Sequence, residues 1–259
     1  MLLKGLLNDR LTHIQKICMA GLFIAIVTIL QKVLAINYIP IVPFLRISLG
    51  GPAVIIFSSI LLGPVYGLLI GAASDVLGYF LLDPKMLGFF PQITAIYGLL
   101  GFASFFVFWL FKKIKNEKVM IIIESSVFAL LLAGVSIFLF LNNNLQLYSS
   151  TYTLELWQKI LIISVMVALF VLVLLTSLVF NKKFKDEDLP IRPTSISFSC
   201  FIIEILVMVL FGTLMKGIAF GFKTYPMILI CQIIVMFINI PLNTWLIILL
   251  LRLLKRFYI

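Results

Sequence analysis

The apolar positions of this chain come in long runs, parted by short segments rich in Lys, Pro, Asn and aromatic residues. Ile17 to Ala35 is the first, and about 20 apolar residues suffice for a helix to cross a bilayer. A shorter run, Ser48 to Leu62, is broken early by Gly50-Gly51-Pro52, and Gly63-Pro64 turns the chain into a third, Val65 to Leu82. Ile93 to Phe111 is the fourth. Val119 to Leu141 and Ile160 to Phe180 form a hairpin around the polar loop Asn142 to Gln158, and Ser195 to Leu214 and Pro226 to Leu251 complete the set. The alternation of a barrel strand is absent, and a chain in lipid must satisfy its backbone hydrogen bonds internally, so each run predicts a helix. The expectation is an all-α polytopic membrane helix bundle of about eight spans, one integral membrane domain over residues 1–259.

The polar breaks orient that bundle. Most of the 20 Lys and Arg residues sit in four places: Lys4, Arg10 and Lys16; Lys112 to Lys118; Lys182 to Arg192; and Arg252, Lys255 and Arg256. With about eight spans between them, all four fall on one side, and short cytoplasmic loops are the ones that keep positive charge. Both termini are therefore expected in the cytoplasm. Composition agrees: the chain is 63% hydrophobic and 12% charged with a mean hydropathy of +1.22, too apolar for a soluble core of this size to be covered. The formal net charge of +10 reads as orientation charge beside anionic headgroups of the lipid bilayer, not as a nucleic-acid surface, because no basic cluster sits on a soluble domain.

Much chemistry is missing. His13 is the one histidine, which excludes an HExxH metal site and argues against a histidine-based dyad. No phosphate loop and no nucleophile elbow occur, which removes ATP hydrolysis by that route and acyl transfer. Cys18, Cys200 and Cys231 lie in apolar sequence without metal-ligand spacing. No catalytic residue, metal or cofactor is assigned.

Within the spans, Asp75 is the costliest residue, since an acid inside the bilayer costs about 2.5–3.5 kcal/mol on insertion scales. Two readings fit it equally: a polar group of a ligand pocket, or an acid that fixes helix packing beside Ser74. Glu124 and Glu204 read as acids near membrane edges. Gly21 and Ala25, with Ala20 beside them, offer a flat helix face, as do Gly67 and Gly71, where internal packing is the favoured reading. The outside loops carry Asn37, Tyr38 and Arg46; Phe89, Phe90 and Gln92; and Lys216, Phe222, Lys223 and Tyr225. Aromatic faces with cationic tips suit a flat anionic aromatic ligand; an interfacial aromatic belt is the other reading.

The stretches Pro43 to Pro52, Leu62-Gly63-Pro64-Val65-Tyr66-Gly67 and Gly71 to Tyr79 resemble the substrate-binding S component of energy-coupling factor (ECF) vitamin transporters. Phe89 to Ala95, Tyr225-Pro226 and Ile240-Pro241-Leu242-Asn243 extend the likeness. The R-I-S, G-P-x-x-G and D-x-x-G-Y combination is most similar to the folate group; riboflavin, thiamine and pantothenate are alternative ligands. The resemblance covers about 17–111 and 195–256, a six-helix core, and leaves 119–180 as an inserted transmembrane hairpin. It implies a bacterial cell membrane protein without ATPase activity, which captures a vitamin outside and delivers it with a transmembrane coupling protein and two cytoplasmic ATPase subunits. Carried over, Ala20, Gly21 and Ala25 become the partner-binding face. Arg46 would attract a carboxylate, Tyr79, Phe90 and Phe222 would stack on the ring, and Asp75, Gln92 or Thr94 would meet its polar edge, with Tyr225 in the last loop completing the substrate-binding set. A non-transporting membrane scaffold is the competing class.

Overall fold

The computed structural model describes residues 6, 11–35, 48, 50–82, 89–114, 116–142, 144–147, 150–183, 191–221 and 225–258, and the side chains of these apart from 144–147, 150–152, 176–183 and 256–258. Helix α1 (His13–Thr28) starts on a capping box, with Thr12 Oγ1 accepting from Gln15 N–H and Gln15 Oε1 accepting from Thr12 N–H. It runs into a π-helical turn, π1 (Ile29–Val33). Then come α2 (Gly51–Leu62), α3 (Pro64–Leu82), α4 (Pro91–Lys112) and α5 (Glu117–Leu141). Strands β1 (Asn144–Leu147) and β2 (Ser150–Thr153) follow, then α6 (Leu156–Lys183). A long rod made of α7 (Pro193–Ile203), the π-helical π2 (Glu204–Phe211) and α8 (Gly212–Phe220) precedes α9 (Tyr225–Tyr258). Prolines at the starts of α3, α4 and α7 sit where a helix has no partner for their missing N–H.

Among the described residues, seven helical rods are long and apolar enough to cross a membrane, and α2 is a shorter eighth. Twelve residues rise only about 18 Å, well short of a bilayer core of about 30 Å. The resolution lies in its surroundings: every residue of α2 is buried. A helix ringed by other helices meets no lipid and need not match its thickness. Its start is set deep, with Gly50 against Leu246, past the middle of α9. At its far end Gly63, at φ 102°, makes the tight turn into α3, a backbone region that glycine enters at little cost.

Two apolar cores share one wall. The first surrounds α2 with Phe23 and Val27 of α1, Ile70 of α3, Leu100 and Phe108 of α4, Cys200 and Ile203 of α7, and Ile247 and Leu251 of α9. The second joins α5 and α6 to the other side of α7 and α9, through Phe128, Val135, Met166, Phe198, Phe201 and Phe237. Accordingly 61% of the apolar stretch in Pro193–Phe220 and in Tyr225–Lys255 is buried, against 17% in α5. The hairpin thus packs onto the back of α7 and α9. The polar loop between its helices folds β1 and β2 into an antiparallel ribbon with Asn144 opposite Thr153. Lys159, buried at the start of α6, donates to the Asn142 carbonyl at the C-terminal end of α5, where a cation meets the negative end of the helix dipole.

The closest helix contact is between α3 and α4. A Cβ at Gly71 would overlap the Tyr97 carbonyl, one at Gly101 would overlap the Gly67 backbone, and one at Gly67 would come within 2.6 Å of the Gly101 carbonyl. Small residues here let two backbones touch. Gly21, by contrast, has open space around it. Gly101→Val is therefore expected to lower the thermal unfolding midpoint in detergent, by overpacking worth about 1–3 kcal/mol, while Gly21→Val leaves it in place.

Candidate functional site

The α3–α4 contact carries its register onward. One turn beyond Gly71 on α3 stands Asp75, buried at 5% exposure, and one turn before Gly98 on α4 stands Thr94. Thr94 Oγ1 donates to Asp75 Oδ2 at 2.8 Å. From the other side, Lys32 of π1 brings Nζ to 3.8 Å from Asp75 Oδ1. The lysine stem lies over Gly78, where a Cβ would stand 2.7 Å from Lys32 Cε. Thr28 closes the α1–α3 seam by donating to the carbonyls of Ile24 and Ser74. One acid, one cation and one hydroxyl from three helical rods thus meet inside the bundle, and each charge offsets the burial of the other. Gln31 packs where a Cβ on Gly51 would be, so the same face of π1 also meets the start of α2.

An aromatic rim borders this cluster. Tyr79 lies one turn beyond Asp75 and contacts Phe80 and Phe89 at centroid separations of 5.2 and 5.4 Å, and Phe80 stacks on Phe89 at 5.7 Å. Phe90 turns the other way and meets Phe220 of α8 edge-on at 4.8 Å. Gln92 is half-buried, and its Oε1 has no hydrogen-bond partner among the described residues. A cleft of about 420 Å³ opens beside Thr94, lined by Leu68, Ala72, Ala95, Gly98, Leu99, Phe102 and Phe211. Thr94 is its one polar side chain, and the volume lies in the range of small-molecule sites.

The expected site residues are therefore divided. Asp75 and Thr94 are bonded to each other, and Tyr79 and Gln92 stand near them in sequence on the same two helices. Phe90 is paired with Phe220 and not with Tyr79. Tyr225, half-buried, opens α9. Arg46 and Phe222 lie outside the described residues. Ala20 is half-buried, while Gly21 and Ala25 are exposed on the bundle's surface.

Two residues of this site escaped the sequence reading. Lys32 was the signal available, a cation within the first apolar run, where an ionisable residue calls for a partner. Phe220 carried no signal beyond being aromatic. A correction concerns Glu204, one of the two acids read as lying near membrane edges; Glu124 stands two turns inside the start of α5. Glu204 is 1% exposed and stands mid-rod where α7 gives way to π2, bonded by Asn243 Nδ2 at 2.9 Å. Glu124 is 3% exposed and accepts from Ser197 at 2.9 Å. Both bind interior partners.

The Lys32–Asp75 pair makes a specific prediction. Asp75→Ala strands a buried ammonium and should destabilise the chain by about 3 kcal/mol, whereas the double change with Lys32→Met should recover most of the loss. Unfolding curves in detergent for both single variants and the double variant measure it.

A family model described as ECF-type riboflavin transporter, S component, matches residues 11–186. The match takes in α1 to α6, and with them Lys32, Asp75, Tyr79, Phe90, Gln92 and Thr94. No curated protein and no solved structure matches the chain.

Proposed function

Because the chain belongs to the family of ECF-type riboflavin transporter S components, we propose that it captures a flavin-class vitamin at the Asp75 end of the bundle. Membership makes it a multi-pass protein of the cell membrane and a non-enzymatic subunit of a vitamin transporter. The family match is the observation that carries the proposal, and the chemistry of the cluster supports the ligand. An isoalloxazine ring presents an imide edge, in which an N–H donor stands between two carbonyl acceptors. Asp75 supplies an acceptor and Lys32 a donor, and Tyr79 and Phe90 stand about a turn away from Asp75 and Thr94 along the same two segments. The family match, riboflavin by its description, favours the flavin over the folate expected from the loop motifs.

In this reading the basic segments face the cytoplasm and the loops after α1, α3 and α8 face outward. Arg46 and Phe222 belong to those loops and would complete the cap over the ligand. The chain has no phosphate loop, so release needs ATP hydrolysis elsewhere, by two cytoplasmic ATPase subunits acting through a transmembrane coupling protein. Exposed Gly21 and Ala25, with Ala20 at their edge, are the surface on which another membrane helix can approach closely. The hairpin of α5 and α6, expected from sequence as an insertion, lies within the matched span and packs on the α7–α9 wall.

Two outcomes follow. The purified chain in detergent should quench riboflavin fluorescence at submicromolar concentration, and a hundredfold excess of folate should leave that signal standing. Displacement by folate would transfer the assignment to folate, and silence toward every vitamin would favour the scaffold. Separately, Gly21→Trp with Ala25→Trp should abolish vitamin uptake by cells while binding in detergent persists. Uptake at the normal rate would refute the docking face.

A further inference from the structure

The transport reading makes no use of a second polar cluster, buried between α7–π2 and α9 and outside the span that the family model matches. Its centre is Glu204. Asn243 Nδ2 donates to Glu204 Oε1 at 2.9 Å, and Asn239 hydrogen-bonds the same carboxyl. The asparagines are one turn apart on α9, so one helix face presents both amides. Thr244 is the next residue along, and Cys200 lies one turn before Glu204. Exposure is 1% for Glu204, 5% for Asn239, 0% for Asn243 and 2% for Thr244.

This cluster leaves oxygens unanswered. Asn239 Oδ1, Asn243 Oδ1 and Thr244 Oγ1 are buried without a hydrogen-bond partner among the described residues. Buried polar atoms nearly always have a partner in protein, water or ion. Pro241 lies between the two asparagines and has no N–H for the Phe237 carbonyl one turn back, so a backbone oxygen is released at the same level. Across the seam the helix widens to π form from Glu204 onward. The Asn243 NH₂ group donates to the carboxyl. Lys216 of α8 acts on it through space, Cys200 of α7 stands one turn away, and Glu124 of α5 is engaged by Ser197.

We propose that Glu204, Asn239, Asn243 and Thr244 form a binding site for one sodium-sized monovalent cation, held between the α7–π2 rod and α9. The donors are hard oxygens, carboxylate, amide carbonyl and hydroxyl, which select alkali and alkaline-earth ions over thiolate-seeking metals. A single carboxylate neutralises a single positive charge, and a divalent ion would leave net charge in a low-dielectric interior. Broken helices that aim freed carbonyls at an ion are a recurrent membrane solution to this need. Among the described residues no trio of His, Cys, Asp and Glu offers a transition-metal site elsewhere. The bound ion would tie the two helices that both apolar cores share.

The test uses the purified chain in detergent without vitamin, at fixed pH and ionic strength, with choline chloride exchanged stepwise for sodium or potassium chloride. Sodium at about a hundred times its half-saturating concentration should raise the unfolding midpoint by about 5 °C, and potassium should do less. Glu204→Gln and Thr244→Val should each lose the response. Thr244→Val keeps the side-chain volume and carries the test if Glu204→Gln fails to fold. Equal midpoints in sodium, potassium and choline would overturn the site, as would a sodium response that survives in Thr244→Val. A midpoint that follows pH but ignores the cation would assign the cluster to a proton or a water, and potassium outdoing sodium would overturn the size. Riboflavin binding is a separate readout, so failure of either assignment leaves the other intact.

Discussion

Contact between the backbones of α3 and α4 organises the functional half of this molecule. Gly67 stands opposite Gly101, and Gly71 opposite Tyr97 and Gly98. An antiparallel pair in that register makes Asp75 and Thr94 the next rung, and there the hydrogen bond is found. Had either helix carried larger residues at the crossing, the axes would separate and the hydroxyl would no longer reach the carboxylate. Lys32 then arrives from π1 across Gly78, the further small residue of α3. The charge cluster is a consequence of backbone proximity, and backbone proximity is a consequence of glycine.

A second constraint is burial of α2. A twelve-residue apolar helix is poorly matched to a bilayer, but it is stable as the centre of a ring. Its neighbours α1, α3, α4, α7 and α9 pack residues such as Phe23, Ile70, Leu100, Ile203 and Ile247 around it and leave Leu22, Leu69, Phe102 and Leu249 exposed on the outer surface. The start of α2 lies deep, and there Gln31 of π1 packs against Gly51.

The rods α7–π2–α8 and α9 do a different task. They are the wall common to both apolar cores, and they carry most of the buried polar side chains that lie away from Asp75. Ser197 reaches outward to Glu124 of the hairpin, whereas Glu204 reaches Asn243 within the wall. Polar contacts in an apolar interior fix which faces meet, because any other pairing leaves a buried group unmatched.

Hydropathy alone determined the membrane class, the positions of the helices and the brevity of the second one, because lipid permits few ways to satisfy a backbone and helix length follows from bilayer thickness. The penalty for a buried acid also singled out Asp75 from sequence, and small residues marked where helices touch. Partnership was another matter. That Asp75 would meet Lys32 and Thr94, that Phe90 would turn to Phe220, and that Glu204 would lie mid-rod against two asparagines depended on helix rotation and register. Those are set by side chains from segments far apart in the chain, which a linear pattern does not place side by side.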